Sequence, residues 1–431
     1  MISFKEHSLT NGLRLIVHED DSTPMCVVNV IYDVGAKDED PEKTGFAHLF
    51  EHLMFGGSEN IESFDEPLQM AGGENNAFTT NDVTNYYEQV PAENIETALW
   101  LESDRMRNLA FSAQSLEVQR KVVCEEFKEH YINKPYGDVW HKLRALAYTT
   151  HPYKWMTIGA TLKHVEDATL EDVKAFFKKH YNPSNAIVVI AGNISFEKAL
   201  ALTEKYFNDI PAGEKYQRRL ENEPEQTSAR TLEVEADVPL DALYKCWHMS
   251  SRLDKRYYAA DLLSDILSSG ASSRLFQKLV KEQQLFSSID CYHMGSTDAG
   301  LMALEGKLIK GVSFEKAESA VVEVLNDLIQ NGITEKELQK VKNKTESMVA
   351  FEDMSLMSRA TSLAMYAMLG SPAMINSELA QYESVTANEI KEEAAKIFRP
   401  ENCSTLYYKS SGKLAGNENN DEEEDDFDDE D

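Results

Sequence analysis

The sequence repeats one pattern of residues in its two halves, at a constant separation of 217 positions. The two copies are the segments 169–185 and 386–402. Each begins with Thr, continues with a helical spacing of apolar residues and ends with Pro-x-Asn before an apolar strand. The separation is about half of the 431 residues, and a chain of this length exceeds what one hydrophobic core usually organises. The repeat therefore predicts two similar halves, each with its own core.

The predicted bounds follow from this repeat. They are a first domain at 1–212, a linker at 213–230 and a second domain at 231–412. The linker is polar and charged and contains Pro224, a composition typical of interdomain segments. Residues 413–431 are a predicted acidic, disordered tail, because the last fourteen residues carry eleven acids and no base.

Turn signals and apolar runs predict the individual elements. An Asn-Gly pair at positions 11–12 and the apolar runs 13–17 and 27–31 predict a β-hairpin. A helix is predicted at about 44–55, where a pair of glycines ends it. Further predicted elements are a strand pair in 76–90, helices at about 92–107, 113–132 and 169–180, and a strand at 186–191.

The charge balance excludes some partners. The formal net charge is −31, and −20 remains when the eleven acids of the tail are set aside. Nucleic acid is excluded as a partner because it needs basic surfaces, whereas basic peptides would be attracted. No apolar run reaches membrane-spanning length, and residues 1–7 lack a charged-then-apolar leader. We therefore expect no membrane partner and a cytoplasmic location, or a periplasmic one if a signal peptide has been removed.

Five cysteines are scattered along the chain, and none forms a CxxC pair. They are Cys26, Cys124, Cys246, Cys291 and Cys403. This distribution predicts buried, reduced thiols rather than a disulfide framework or a cysteine zinc site.

The string His48-Leu49-Phe50-Glu51-His52 carries the chemistry of a metal site. Residues four apart share one helix face, so the two imidazoles can bind one Zn²⁺. Glu51 flanks that face, where it can take a proton from a zinc-bound water and return it to a leaving amine. The zinc ion would lower the pKa of the water and polarise the scissile carbonyl. The pattern predicts His48 and His52 as zinc ligands and Glu51 as the catalytic base of a zinc peptidase.

The alternative is a surface helix on which these side chains are simply solvated. The flanking residues are apolar, namely Ala47, Leu49, Phe50, Leu53, Met54 and Phe55. They indicate a buried helix, and polar groups in a buried helix need partners. The metal-site interpretation is therefore favoured.

These residues give the chain a resemblance to the pitrilysin/insulinase-type metallopeptidases, the inverzincins. The resemblance covers nearly the whole chain and is close to the short, two-domain members related to the mitochondrial processing peptidase. It rests on the segments Gly45–Gly56, Asn76–Thr79, Thr84–Tyr87, His180–Pro183 and Ser272–Phe276. It implies an α+β chain of two homologous α/β domains, each a mixed sheet packed with helices around a ferredoxin-like duplicated core. The first domain would be catalytic and hold one zinc ion.

The resemblance also implies a third zinc ligand, a glutamate on a later helix. The Arg-x-Val-Val pattern that begins at Arg120 aligns this ligand with Glu126, and the adjacent Glu125 is the alternative. Many relatives carry a second glutamate two turns before the ligand. That position is Gln119 here, which can hydrogen-bond a histidine or water but adds no charge.

The resemblance further implies a substrate-binding edge strand that includes Asn76, Ala77 and Phe78. An exposed strand edge holds an extended peptide by main-chain hydrogen bonds. This arrangement favours unfolded peptides as substrates, because a folded protein offers no free strand. The alternative for Phe78 is a place in the core.

The second half lacks two features of the family. The separation of 217 maps the three motif residues onto Asp265, Ser268 and Ser269, which lose the metal chemistry. The family usually has an Arg, and a Tyr seven residues later, that bind substrate near the zinc, and these positions are Val280 and Ser287 here. We therefore expect a heterodimer in which a homologous subunit without zinc supplies the Arg and Tyr. The alternative is a chain that works with a weaker clamp, alone or as a homodimer.

The sequence as a whole predicts a zinc-dependent endopeptidase that hydrolyses unfolded peptides as the catalytic subunit of such a heterodimer. Two other classes of function are weighed against it: a non-catalytic scaffold subunit of a larger complex, and a subunit that binds peptides without cutting them. The intact motif argues against the scaffold, and zinc content together with cleavage of a peptide would separate all three.

Overall fold

The computed structural model describes residues 1–412, so the tail predicted at 413–431 lies outside the described residues. The strands are β1 Lys5–Ser8, β2 Arg14–Glu19, β3 Met25–Tyr32, β4 Glu74–Thr79, β5 Thr84–Pro91, β6 Ala186–Gly192, β7 Arg230–Ala236, β8 Ala242–His248, β9 Phe286–Met294, β10 Leu301–Leu308 and β11 Cys403–Ser410. The α-helices are α1 Phe46–Leu53, α2 Asp65–Met70, α3 Ile95–Arg107, α4 Ala113–Phe127, α5 Val139–Ala147, α6 Leu162–Glu166, α7 Leu170–His180, α8 Phe196–Phe207, α9 Arg256–Ser268, α10 Phe314–Asn331, α11 Glu335–Glu352, α12 Leu356–Met368, α13 Glu378–Ser384 and α14 Ala387–Ile397.

A six-stranded mixed sheet forms the centre of the first compact unit, in the order β1-β2-β6-β3-β5-β4. Only β2 and β6 pair in parallel among these strands. Every residue of β6 is buried, which agrees with its continuous apolar sequence. Strand β4 lies at one edge of the sheet, where one side of its backbone pairs with β5.

A five-stranded mixed sheet forms the second unit, in the order β7-β11-β8-β10-β9. Strands β7 and β11 are parallel, and the other neighbours are antiparallel. Strands β8, β10 and β11 begin 217 positions after β3, β5 and β6, respectively. Each of them lies at the equivalent place in the strand order of its own sheet. The predicted fold class is therefore confirmed: two similar α/β domains, each a mixed sheet packed with helices.

Contacts divide the chain differently from the predicted bounds of 1–212 and 231–412. The first unit contains residues 1–128, 150–222 and 343–383, and the second contains 129–149, 223–342 and 384–412 of the described residues. Helix α12 from the second half packs on β3 and β6, and α5 from the first half packs on β8 and β11. These helices begin 217 positions apart, so each half supplies the equivalent helix to the other sheet. The predicted bounds had assumed that each half keeps its own helices.

The predicted hairpin of segments 13–17 and 27–31 is wrong. Both segments are strands, but β6 lies between them in the sheet. The Asn-Gly turn instead joins β1 to β2, and Gly12 there has a φ of +89°. Turn chemistry marks the end of a strand, whereas a strand distant in sequence decides the pairing.

The other local predictions agree with the structure. The helices predicted at 44–55, 92–107 and 169–180 are confirmed as α1, α3 and α7, with ends shifted by a few residues. All five cysteines are buried and free, as predicted. Among the described residues, no helix combines the length and apolar character that crossing a membrane requires.

Candidate metal centre

The short helix α1 is built to present one polar face. Its residues Phe46, Leu49, Phe50 and Leu53 are buried and anchor it to the core, while the two histidines and the glutamate are only partly buried. Gly45, which precedes the helix, has a φ of +89°, and a Cβ there would lie 2.6 Å from the Ile158 carbonyl oxygen. Any other residue at this position would displace the first turn of the helix.

The buried carboxylate of Glu39 holds that first turn. It accepts hydrogen bonds from the Gly45 N–H (2.9 Å) and the Ala47 N–H (2.8 Å). These amides have no partner within the helix, so the two Glu39 oxygens satisfy donors that would otherwise lack an acceptor. A helix of eight residues is marginal by itself, so this anchor fixes the place of His48, the third residue of α1. The sequence motif gave no signal for Glu39.

Glu39 gives a testable pH dependence. Burial raises the pKa of Glu39 to about 8 from 4.5, although the two N–H donors oppose the shift. A raised folded-state pKa stabilises the protein below about pH 4.5, and this stabilisation is lost as the pH rises through about 8. The difference in free energy of unfolding between wild type and Glu39→Gln should therefore fall by a few kcal/mol over this interval, at about 1.4 kcal/mol per pKa unit. Denaturant unfolding at a series of pH values measures it. Exposed Glu42→Gln is the control, and an equal slope for both variants would contradict the role of Glu39.

Three side chains from two helices converge on one point. His48 Nε2 lies 3.2 Å from Glu126 Oε2, and His52 Nε2 lies 3.4 Å from the same oxygen. The two imidazole rings are 4.9 Å apart. One ligand atom from each residue falls within 4.8 Å of the others, and this is the only such group of three or more His, Cys, Asp or Glu side chains in residues 1–412. Two imidazole nitrogens and one carboxylate oxygen are a donor set that suits zinc.

The structure also separates the two adjacent glutamates of α4. The side chain of Glu125 is 72% exposed and accepts a hydrogen bond from Lys128 Nζ (2.7 Å). Glu126 points to the histidines of α1 instead. This geometry favours Glu126 as the third ligand, and the ligand role itself stays a prediction. Gln119 is seven residues before Glu126 and therefore lies on the same side of α4.

In this cluster, the acids and the imidazoles shift each other's pKa values. Burial opposes protonation of His48, but hydrogen bonds to Glu126 and Glu51 outweigh it and raise the pKa of His48 to about 9. Hydrogen bonds to both histidines hold the pKa of Glu126 well below its usual range. A bound cation would take the place of the proton in this negative environment.

Glu51 lies beside the cluster, with its Oε2 3.6 Å from His48 Nδ1. The same oxygen accepts a hydrogen bond from Thr79 Oγ1 (2.6 Å), which fixes the carboxylate. Burial favours the neutral acid, but the bonds to His48 and Thr79 prevail and lower the pKa of Glu51. Glu51 is therefore ionised and able to accept a proton at neutral pH. Thr79 is a site residue that the motif did not indicate.

The predicted substrate strand corresponds to β4, which ends at Thr79 and so reaches the cluster. Asn76 is exposed, and Ala77 and Phe78 are partly exposed, so Phe78 is not a fully buried core residue. The Ala77 N–H donates to the Asn76 side-chain oxygen (2.8 Å), a local bond that an incoming strand would replace. The substrate role of these three residues remains a prediction.

In the second unit, Asp265 and Ser268 lie on α9, and Ser269 follows it. Val280 lies in a short π-helical segment. Ser287 lies on the edge strand β9, and its hydroxyl donates to the Lys307 carbonyl oxygen (3.1 Å). None of these five residues belongs to a group that could hold a metal within the described chain.

Comparison with known proteins identifies relatives of both halves. Residues 14–160 match the family model described as Insulinase (Peptidase family M16), and residues 167–345 match the one described as Peptidase M16 inactive domain. The chain is 31% identical to the zinc protease PqqE of Helicobacter pylori over 341 residues, which cover 78% of this chain and 77% of that protein. It is 26% identical to the probable mitochondrial-processing peptidase subunit beta of Arabidopsis thaliana over 309 residues, 69% of this chain and 58% of that protein.

Solved structures agree with these matches. The crystal structure of a protease from Helicobacter pylori has a TM-score of 0.90 and 27% identity, covering 95% of this chain and 100% of that chain. A structure from Pseudomonas fluorescens, described as a peptidase M16 inactive domain, has a TM-score of 0.85, covers 95% of this chain and 99% of that chain, and at 19% identity supports the fold alone. The fold, the family models and the sequence relatives agree, and the chain belongs to peptidase family M16, the insulinase family.

Proposed function

We propose that this protein is a zinc-dependent endopeptidase that hydrolyses unfolded peptides. The observation that carries the proposal is the convergence of His48, His52 and Glu126 beside an ionised Glu51. The names of its relatives support it, since those of Helicobacter pylori and Bacillus subtilis are both called zinc proteases.

The residues divide the chemistry between them. A zinc ion held by His48, His52 and Glu126 would supply Lewis acidity to a water and to the scissile carbonyl. Glu51 is 17% exposed and is fixed by Thr79, so its carboxylate is placed to take the proton of that water. The same carboxylate then returns the proton to the departing amine. Glu51 remains a base rather than a ligand because it lies outside the group of three ligand atoms.

The edge strand β4 would hold the substrate. Its outer backbone groups can pair with an extended peptide, and Asn76, Ala77 and Phe78 lie along this edge. Because β4 ends at Thr79, which bonds Glu51, a peptide paired with β4 would lie close to the base. This arrangement selects unfolded segments.

The heterodimer belongs to the same proposal. Val280 and Ser287 cannot provide the charge and the phenol that a substrate clamp of Arg and Tyr would provide. A homologous subunit that carries the pair would complete the site. The Arabidopsis thaliana relative is itself named as a subunit.

A direct experiment tests the function. The purified chain is analysed for zinc content and then incubated with a quenched fluorescent peptide, alone and with a candidate partner subunit. We expect one zinc ion per chain and cleavage that a chelator abolishes and added zinc restores. A zinc-free protein that stays inactive with its partner would support a scaffold, whereas peptide binding without cleavage would support a holding subunit.

The third ligand has a matched pair of variants. Glu126→Ala should weaken zinc binding by more than about 100-fold, because even residues that only support a ligand cost 10–100-fold. Glu125→Ala should leave zinc binding unchanged, because its carboxylate is solvated and paired with Lys128. Competition with a chromophoric chelator measures both. The reverse order of effects would assign the ligand to Glu125.

A further inference from the structure

The repeat places two equivalent grooves in the two units, and within residues 1–412 another segment of the chain fills only the groove of the first unit. In the first unit, Arg218 of the connecting segment donates to Asp33 Oδ1 (2.9 Å) and also pairs with Asp38. The ring of Tyr216 lies 4.6 Å from the ring of His180, and Lys179 Nζ lies 4.6 Å from the centre of the Tyr216 ring. A Tyr-x-Arg segment thus occupies this groove.

The counterpart in the second unit is an open cavity of about 360 Å³. The separation of 217 maps Asp33, Lys179 and His180 onto Ser250, Lys396 and Ile397, and all three of these residues line the cavity. The connecting residues 223–226 form one wall. The cavity is therefore the second copy of a groove that binds an extended segment in the first copy.

Glu393 places a buried carboxylate in the lining of the open groove. It is 3% exposed and lines the cavity, and its position corresponds to Phe176 in the first unit. Its side chain accepts a long hydrogen bond of 3.4 Å from the Ser250 hydroxyl. Burial raises the pKa of Glu393, and the positive charge of Arg256 opposes this shift. The Arg256 guanidinium is bonded to Asp254, however, and no lysine or arginine of the described residues forms an ion pair with Glu393. A buried carboxylate of this kind needs a cation.

A second lining residue, His248, has a ring nitrogen without a hydrogen-bond donor in the described part of the chain. His248 Nε2 is bonded to the Ala147 carbonyl oxygen (3.0 Å), so the ring proton lies on Nε2 and the buried Nδ1 is an acceptor. This Nδ1 has no partner among the described residues. The groove thus holds a buried carboxylate that accepts a long hydrogen bond from Ser250 and an imidazole nitrogen without a donor, and a guanidinium group offers five N–H donors.

We propose that this open groove in the second unit binds an extended peptide segment through an arginine side chain, with Glu393 as the anionic partner of the guanidinium. The net charge of −31 agrees with a basic ligand. Arg399 in the wall of the groove is paired with Glu225 and therefore does not neutralise Glu393. The groove plays no part in the proposed hydrolysis and needs no zinc.

The test uses the full chain after chelator treatment, so that no peptide is cut. The probe is a fluorescent hexapeptide with the sequence of residues 214–219, Glu-Lys-Tyr-Gln-Arg-Arg, capped at both ends. We expect saturable binding by fluorescence anisotropy. Glu393→Gln should raise the Kd at least about tenfold, because a charge-assisted hydrogen bond is lost. The exposed neighbour variant Glu392→Gln should leave the Kd within about twofold.

Two more measurements keep the proposal open to refutation. A probe with citrulline at both arginine positions should bind weakly to wild type and lose nothing further in Glu393→Gln. Ala299→Trp, which fills the exposed mouth of the groove without touching the core, should also block binding. Absence of binding to wild type, equal affinity for the two probes, or equal effects of Glu393→Gln and Glu392→Gln would each overturn the proposal.

Discussion

Replacing Glu51 by glutamine is expected to lower the kcat for peptide cleavage by about 10²- to 10⁴-fold while zinc stays bound. The amide keeps the size of the side chain and can still receive the hydrogen bond from Thr79. It cannot take a proton, so only the base is removed. Cleavage of a quenched peptide gives the rate, and metal analysis after dialysis gives the zinc content.

The control for this variant is Glu62→Gln, an exposed glutamate in the same unit that should cleave at the wild-type rate. Two results would contradict the assignment. Loss of zinc from Glu51→Gln would make Glu51 a ligand, and unchanged turnover would remove it from the reaction. An inactive but zinc-loaded variant also provides a stable form for binding peptides to β4.

Replacing His48 or His52 by alanine is expected to remove both zinc and activity. Each variant deletes one of the three donors that meet within 4.8 Å, so zinc affinity should fall by more than about 100-fold. His52→Ala should change the stability of the metal-free protein little, because this side chain is partly exposed. His48→Ala should lower that stability at neutral pH, because bonds to Glu126 and Glu51 raise the pKa of His48 to about 9 in the folded protein. Zinc affinity and thermal unfolding, with and without zinc, measure the two effects separately.

His7→Ala is the matched control, since His7 is exposed on β1 in the same unit. It should retain zinc and its thermal stabilisation by zinc. If His48→Ala and His52→Ala kept full zinc content and activity, the imidazoles would not be ligands and the hydrolase proposal would fail.

Most residues of the candidate site could be predicted from the sequence, through the motif on α1 and the alignment of Glu126. An HxxEH string fixes its own geometry, because helical spacing alone places His48 and His52 on one face. The sequence did not reveal Glu39 or Thr79, since no motif marks the bonds of Glu39 to backbone amides six and eight residues later or the bond of Thr79 to Glu51, 28 residues earlier. The choice of Glu126 over Glu125 likewise depended on which carboxylate faces α1.

The sequence by itself determined the duplication, the class of fold and the helix that carries the motif. These features depend on local periodicity and on the repeat at a separation of 217 positions. In the structure, the repeated segments form equivalent strands of the two sheets. Only the tertiary structure decided that β6 separates β2 from β3. It also decided that α5 packs on the sheet of the second unit and α12 on the sheet of the first. The physical reason is that local residues decide whether a segment is helical or extended, whereas burial of apolar faces between distant segments decides its partners.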